Sequence, residues 1–231
     1  MATLVSERLE EPWRRRMLLP TYQIGEAANY AQVAPQTVAA WHRLEAALLK
    51  QRDQRSALSY MQLIEVAVVA AFRKAGVPMN RIRTARAWAA NELKSEHPFA
   101  EYKFKENAKH LYLDSQQIDV GNNTVVQADT GGQLEWQSVI GRLKEFEYED
   151  HLALRWHVAG EGKPIIIDPR ISFGAPAVRG IPTWILRGRF DAGESDSDIA
   201  DDFGIAREEV REALKFEGVL GGGRRKSSRL H

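Results

Sequence analysis

The 231-residue sequence contains no cysteine, which excludes disulfides and thiolate metal sites and suits a reducing compartment. Its six histidines, His42, His97, His110, His151, His157 and His231, never fall at i,i+4 ligand spacing with acids in step, so no helical metal site is encoded. Long apolar runs are missing too. The most apolar, Val66–Phe72, is far shorter than the ~20 residues a membrane helix requires. The opening stretch MATLVSERLEEPWRRR carries acids before any apolar core, unlike a secretory signal. No glycine-rich phosphate loop lies between a strand and a helix, and no serine sits in a nucleophile elbow. Asp196, Asp198, Asp201 and Asp202 lack the glycine and terminal glutamate of a calcium loop. The expectation is a cytoplasmic protein that is not an enzyme, holds no cofactor or metal and does not enter the membrane.

The chain has room for two small domains, or one with appendages. A hydrophobic fraction of 44% and a charged fraction of 27% are those of a folded protein. The net charge of +1 names no partner, but its distribution is bipolar. Between Pro20 and Lys94 ten bases oppose five acids, a net of +5. From Thr183 to Glu217 five bases oppose ten acids, a net of −5. The first segment suits phosphates and the second repels them.

Tyr22–Arg43, YQIGEAANYAQVAPQTVAAWHR, reads as two short helices and a tight turn. Ile24, Ala27 and Ala28 form a small apolar face across which a second helix can pass closely. Ala31–Ala34 makes the turn, and Pro35 suits a first helical position, where its missing N–H is not needed. Val38 and Trp41 then point inward, leaving Gln36, Thr37, His42 and Arg43 for base edges or phosphates. The same pattern also fits an ordinary helical hairpin with a decorated surface. Residues 1–20 read as a flexible basic arm, and Leu44–Leu58, with Arg52 and Arg55, suits a short hairpin or wing. Ser59 with Gln62 caps a helix carrying Leu63, Val66, Ala67, Ala70 and Ala71. Asn80 caps another, running to about Leu93, with Arg81, Arg83 and Arg86 on a solvated face.

From Pro98 the character changes. Tyr102, Phe104, Leu111, Tyr112 and Leu113 suggest strands, as does Val125-Val126 between the turns Asp119–Asn123 and Asp129–Gly132. Gln133–Tyr148 has mixed signals, in which Leu134, Val139, Leu143 and Phe146 could line a helix, and His151–Val158 reads as a strand. Glu161–Pro164 reads as a linker. Beyond it come a strand, Ile165–Ile167, an irregular stretch fixed by Gly174, Pro176, Gly180 and Pro182, and three short helices joined by glycines, the second capped by Ser195 with Asp198 and ended by Gly204, the third burying Val210 and Leu214. The last, AREEVREALKFE, has more acids than bases. That favours a protein-binding or dimerising role for this second helix-turn-helix topology. The basic ending GGGRRKSSRLH reads as a flexible tail. The fold class expected is mainly α with a β-rich middle (α+β), divided at 1–20, 21–95, 96–160, 163–218 and 219–231.

Tyr22–Arg43, followed by Leu58-Ser-Tyr-Met-Gln-Leu63 and Ala75–Ile82, resembles a MerR-type winged helix-turn-helix. That resemblance implies DNA binding through Gln36, Thr37, His42 and Arg43, with Arg52 and Arg55 on the wing. No long coiled-coil helix follows and no effector cysteines exist, so the metal sensing and dimer mode of that family do not carry over. Asp168, Pro169, Gly174, Pro176, Val178, Arg179, Gly180 and Pro182 match a module found in antitoxins of the VapB kind. The pairing of both modules, over residues 20–95 and 163–218, is similar to one such antitoxin group. The resemblance implies a PIN-like ribonuclease toxin as partner, operator DNA as ligand, and autorepression as a homodimer. A toxin of that class clusters carboxylates around a divalent cation. Arginines that pair with those carboxylates would silence it; Arg187, Arg189, Arg224, Arg225 and Arg229 are the candidates. The rival reading is a stand-alone MerR-like transcription regulator whose C-terminal module dimerises.

Overall fold

The computed structural model describes residues 12–41, 57–101, 145–150 and 152–220, together with the backbone of 104–107, 110–113, 124–127, 133–136 and 141–142. They form a mixed α+β chain that divides into two compact units, Met1–Leu154 and Arg155–His231.

The N-terminal unit contains helices α1 (Pro12–Arg16), α2 (Ile24–Tyr30), α3 (Tyr60–Lys74), α4 (Met79–Glu92) and α5 (Pro98–Glu101), with a further helical stretch at 35–41. Helix α3 is its core: ten of its 15 residues are buried, as expected where apolar residues occupy most of a helix circumference. Its start is the capping box read from the sequence. The Ser59 hydroxyl accepts from the Gln62 amide at 3.2 Å, and the Gln62 side chain accepts from the Ser59 amide at 2.9 Å. Phe72 meets Phe99 of α5 edge-on at 5.7 Å, the arrangement the ring quadrupoles favour. The Tyr60 hydroxyl lies 3.0 Å from the carbonyl oxygens of both Ala153 and Leu154. Helix α4 is capped by Pro78 rather than Asn80, because the extended φ and ψ of Pro78 already fit the position before a first turn.

Five strands follow: β1 (Phe104–Asn107), β2 (His110–Leu113), β3 (Thr124–Gln127), β4 (Gln133–Trp136) and β5 (Gly141–Arg142). They form an antiparallel sheet in the order β4-β3-β2-β1-β5. The expected helix over Gln133–Tyr148 is therefore a correction. Leu134 pairs with Val126 and Trp136 with Thr124 across β3 and β4, and β6 spans Phe146–Glu149. In Gln-Leu-Glu-Trp and Phe-Glu-Tyr-Glu the residue types alternate with period two. The three-to-five-residue spacing of Leu134, Val139, Leu143 and Phe146 obscured that pattern. The turns expected at 119–123 and 129–132, like Tyr102, lie outside the described residues.

Strand β7 (Leu152–His157) carries the division between the units. Its end pairs antiparallel with β8 (Ile165–Ile167), Trp156 opposite Ile167 and His157 opposite Ile166. Glu161–Pro164 thus belongs to a hairpin connection rather than an interdomain linker. Gly160 (φ 108°) and Gly162 (φ 72°) supply the left-handed backbone of that turn. Strands β9 (Ala177–Val178) and β10 (Ile181–Pro182) complete the sheet of the C-terminal unit. Helices α6 (Thr183–Asp191), α7 (Asp196–Phe203) and α8 (Arg207–Phe216) pack on one another. Their apolar faces meet in a core where Leu186, Ile199, Val210 and Leu214 are fully buried. The Ser195 hydroxyl caps α7 by accepting from the Asp198 amide at 3.1 Å, and Gly204 ends that helix in the left-handed conformation, both as the sequence indicated.

Candidate functional site

The first candidate surface is the pair of helices after Tyr22. Tyr22 and Leu58 form an isolated antiparallel bridge, with the Leu58 amide donating to the Tyr22 carbonyl at 2.6 Å. This tie sets the start of the helical pair against the start of α3. Ala27 and Ala28 of α2 are buried, consistent with small residues where another element crosses closely. The end of α2 is a Schellman motif: the Gln32 amide donates to the Asn29 carbonyl and the Val33 amide to the Ala28 carbonyl. Gln32 (φ 56°) stands where glycine is usual. Pro35 opens the helical stretch 35–41, Val38 is fully buried and Trp41 half-buried. Gln36 is exposed and Thr37 half-exposed on the same stretch. His42, Arg43, Arg52 and Arg55 lie outside the described residues.

Behind this surface sits a feature that sequence reasoning missed. Glu65 is buried in α3, with a side chain 4% exposed. Arg86 of α4 donates to its Oε2 from Nε at 3.1 Å and Nη2 at 2.7 Å. The Phe99 amide donates to Oε1 at 3.3 Å, and Arg86 reaches on to the Glu96 carbonyl at 3.0 Å. Arg86 is therefore not on a solvated face, as its spacing suggested, but holds α3, α4 and the entry to α5 together. The available signal was Glu65 itself, a single acid inside the apolar run LIEVAVVAAF. A buried carboxylate requires a cation and further hydrogen bonds.

The second candidate surface is the C-terminal unit, and its matched motif residues act as scaffold. Asp168 is 1% exposed. It accepts from the Arg170 amide at 2.9 Å, from Arg170 Nη2 at 2.7 Å and from Arg155 Nε at 3.4 Å. Burial alone would raise its carboxyl. The hydrogen bonds and charge of Arg170, with Arg155, outweigh burial and hold it below the ordinary aspartate value. A depressed folded value contributes stability that is full above the unfolded pKa of about 3.9 and is lost as the pH falls through the folded value. The C-terminal unit is accordingly expected to lose stability progressively below about pH 4. Asp168→Asn should be less stable at neutral pH and show a shallower loss on acidification, measured by denaturant unfolding from pH 6 to pH 2.

Arg179 (φ 47°) and Gly180 (φ 86°) form the two-residue turn between β9 and β10. Positive φ at both positions is the type I′ requirement. Arg179 also donates to Glu209 of α8 at 2.8 Å, and Ser172 donates to the Gly180 carbonyl at 2.9 Å. Most acids of this unit are likewise paired within it. Glu212 binds Lys163 and Lys215, Asp196 binds Arg207 and Arg211, and each carboxyl is held below its ordinary value by those partners. The acid-rich α8 is thus less negative than its composition suggests.

Of the arginines expected to meet a toxin, Arg189 donates to both Glu194 and Asp202 and lies over the Phe203 ring at 5.3 Å. That set joins the end of α6 to α7, so Arg189 has a structural role in the unit. Arg187 is 41% exposed, pairs with Asp191 at 3.3 Å and reaches Glu217 at 3.7 Å. Arg224, Arg225 and Arg229 lie outside the described residues. No helix among the described residues is long and apolar enough to cross a membrane.

Residues 165–216 match the family described as a protein of unknown function, DUF433. The chain is 25% identical over 226 residues to a Mycobacterium tuberculosis (strain ATCC 25618 / H37Rv) protein named "Putative antitoxin VapB45", covering 86% of this chain and 94% of that protein. It also shares the fold of the crystal structure of Rv2018 from Mycobacterium tuberculosis. The TM-score is 0.61 at 22% identity, over 86% of this chain and 99% of that one.

Proposed function

We propose that this protein is the antitoxin of a toxin–antitoxin pair. In this reading its C-terminal unit binds and silences a PIN-like ribonuclease, and its N-terminal helix-turn-helix represses its own operon as a cytoplasmic homodimer on operator DNA. The observation that carries the reading is the likeness to a relative bearing an antitoxin name across 86% of the chain, rather than across one module. Two further features support it. The helical pair after Tyr22 presents Gln36 and Thr37 to solvent on a helix opened by Pro35, the residue types that read bases and phosphates. The C-terminal unit carries its acids largely neutralised by its own bases, which suits a protein partner better than a phosphate backbone. Residues 96–160 serve in this reading as a β-rich bridge or dimerisation module between the DNA-binding and partner-binding ends.

The toxin contacts are assigned to Arg224, Arg225 and Arg229 of the basic ending, since Arg187 and Arg189 are both paired with carboxylates of their own unit. Arginine is suited to this task because its planar fork can pair bidentately with a nuclease's metal-binding carboxylates. Co-expression with the product of the adjacent reading frame tests the proposal. Growth should recover from the arrest that frame causes alone, and the two products should co-purify. Unrelieved arrest and no complex would favour a stand-alone regulator.

A further inference from the structure

Helix α6 carries a tryptophan and a glycine whose placement nothing among the described residues accounts for. Trp184 is 62% exposed, although indole is the side chain that gains most from burial. Gly188 lies one turn further along the same face (i,i+4), exposed, with no atom within 4 Å of the position a Cβ would take. A glycine inside a helix costs roughly 0.5–1 kcal/mol relative to alanine. Here no positive φ and no internal close approach requires it. Ala192, at i+8 from Trp184, is also exposed. The face thus shows a large apolar knob beside a bare stretch of backbone.

Knob and hole lie about 6 Å apart along one helix axis. That makes the face self-complementary under a two-fold rotation, the condition for an isologous contact. If two copies of α6 meet antiparallel with the axis level with Leu186, Trp184 of each covers Gly188 of the other. The charges permit it. The two Arg187 side chains approach the axis, but each is already neutralised by its own Asp191 and Glu217. Each Trp184 is 62% exposed, so it offers a partner only part of the ~150–250 Å² that an aromatic side chain can bury. With the flanking Arg187, Asp191 and Ala192 the interface stays below the ~1,000 Å² of stable specific contacts, as suits a reversible association that supplements another.

We propose that the α6 face formed by Trp184, Gly188 and Ala192 is a homodimerisation surface, with Trp184 of one copy packed over Gly188 of a second. This rests on the homodimer in the proposed function and assigns it a surface. The absence of cysteine in the chain makes the geometry directly testable in the full-length protein. Mixing Trp184→Cys with Gly188→Cys protein under mild oxidation should give a disulfide-linked dimer, and either variant alone much less. In sedimentation equilibrium, Trp184→Ala and Gly188→Leu should each raise the dimer dissociation constant at least tenfold, as loss of an interface anchor does. Gly188→Leu should also raise the melting temperature of the monomer, because leucine is the better helix former; a variant that merely misfolds would do the opposite. A wild-type dimer that neither substitution weakens, with no mixed cross-link, would overturn this surface and leave the dimer standing. A wild-type chain monomeric throughout the concentration series would overturn both. Variants that keep the dimer but lose the complex with the adjacent frame's product would assign the face to the nuclease and overturn the proposal.

Discussion

Arg86→Ala is expected to destabilise the N-terminal unit by about 3 kcal/mol or more, the cost of leaving a buried carboxylate without its cation. Glu65 is 4% exposed on its side chain and takes two charge-assisted hydrogen bonds from Arg86. Truncating the arginine removes both guanidinium bonds and leaves the Phe99 amide at 3.3 Å and His97 Nδ1 at 3.8 Å beside the carboxylate, weaker contacts than the paired guanidinium. The loss should appear as a lower midpoint for the N-terminal transition in urea, with the C-terminal transition unmoved. Lysine should recover only part, since a single ammonium cannot reproduce the paired Nε and Nη2 contacts. Replacing both partners, Glu65→Met with Arg86→Met, should cost less than Arg86→Ala, because the penalty comes from the unpaired buried charge. A single-variant loss under about 1 kcal/mol would mean that water reaches Glu65.

The second large effect concerns DNA. Arg43→Ala with Arg55→Ala is expected to weaken binding to the protein's own promoter region by roughly 60-fold per half-site at about 0.1 M salt. That estimate follows from removing two phosphate contacts from each protomer, each contributing about 0.9 to the slope of log affinity against log salt. The slope itself should fall by about 1.8 per half-site, or about 3.6 for the homodimer, and the fall identifies phosphate contacts as opposed to a folding defect. Gln36→Ala, on the exposed face of the 35–41 helix, should instead relax sequence preference with little change in slope, because base contacts release few counterions. Fluorescence anisotropy across a salt series measures both. An unchanged slope in the double variant would place the phosphate contacts elsewhere on the basic segment Pro20–Lys94.

Much of the local structure was legible because it depends on signals within four residues. Ser59 with Gln62, Ser195 with Asp198, Pro35 and Gly204 each specify a helix end through a backbone hydrogen bond or a φ preference. The buried positions Val38, Leu63, Val210 and Leu214 followed from helical periodicity. What escaped the sequence depends on distant partners. The strands over 133–149 are fixed by pairing with residues such as Val126 and Thr124, and their four-residue alternation is too short to outweigh a helical spacing. Glu161–Pro164 looked like a linker because its glycines and proline suit any turn; only the pairing of Trp156 with Ile167 makes it a hairpin. Arg86 and Arg189 had the spacing of solvent-facing or partner-seeking residues, yet each has carboxylate partners within its own unit. Composition counts charges, whereas partner binding depends on which charges the fold leaves exposed.

In the proposed function the two ends of the chain do separable work, DNA at one and a toxic partner at the other. The most direct measurement is growth rescue by the Arg43→Ala, Arg55→Ala protein, expressed from an unrelated promoter beside the adjacent reading frame. The account predicts rescue equal to that of the unaltered protein despite the lost promoter binding. A folded double variant that no longer rescues growth would contradict it.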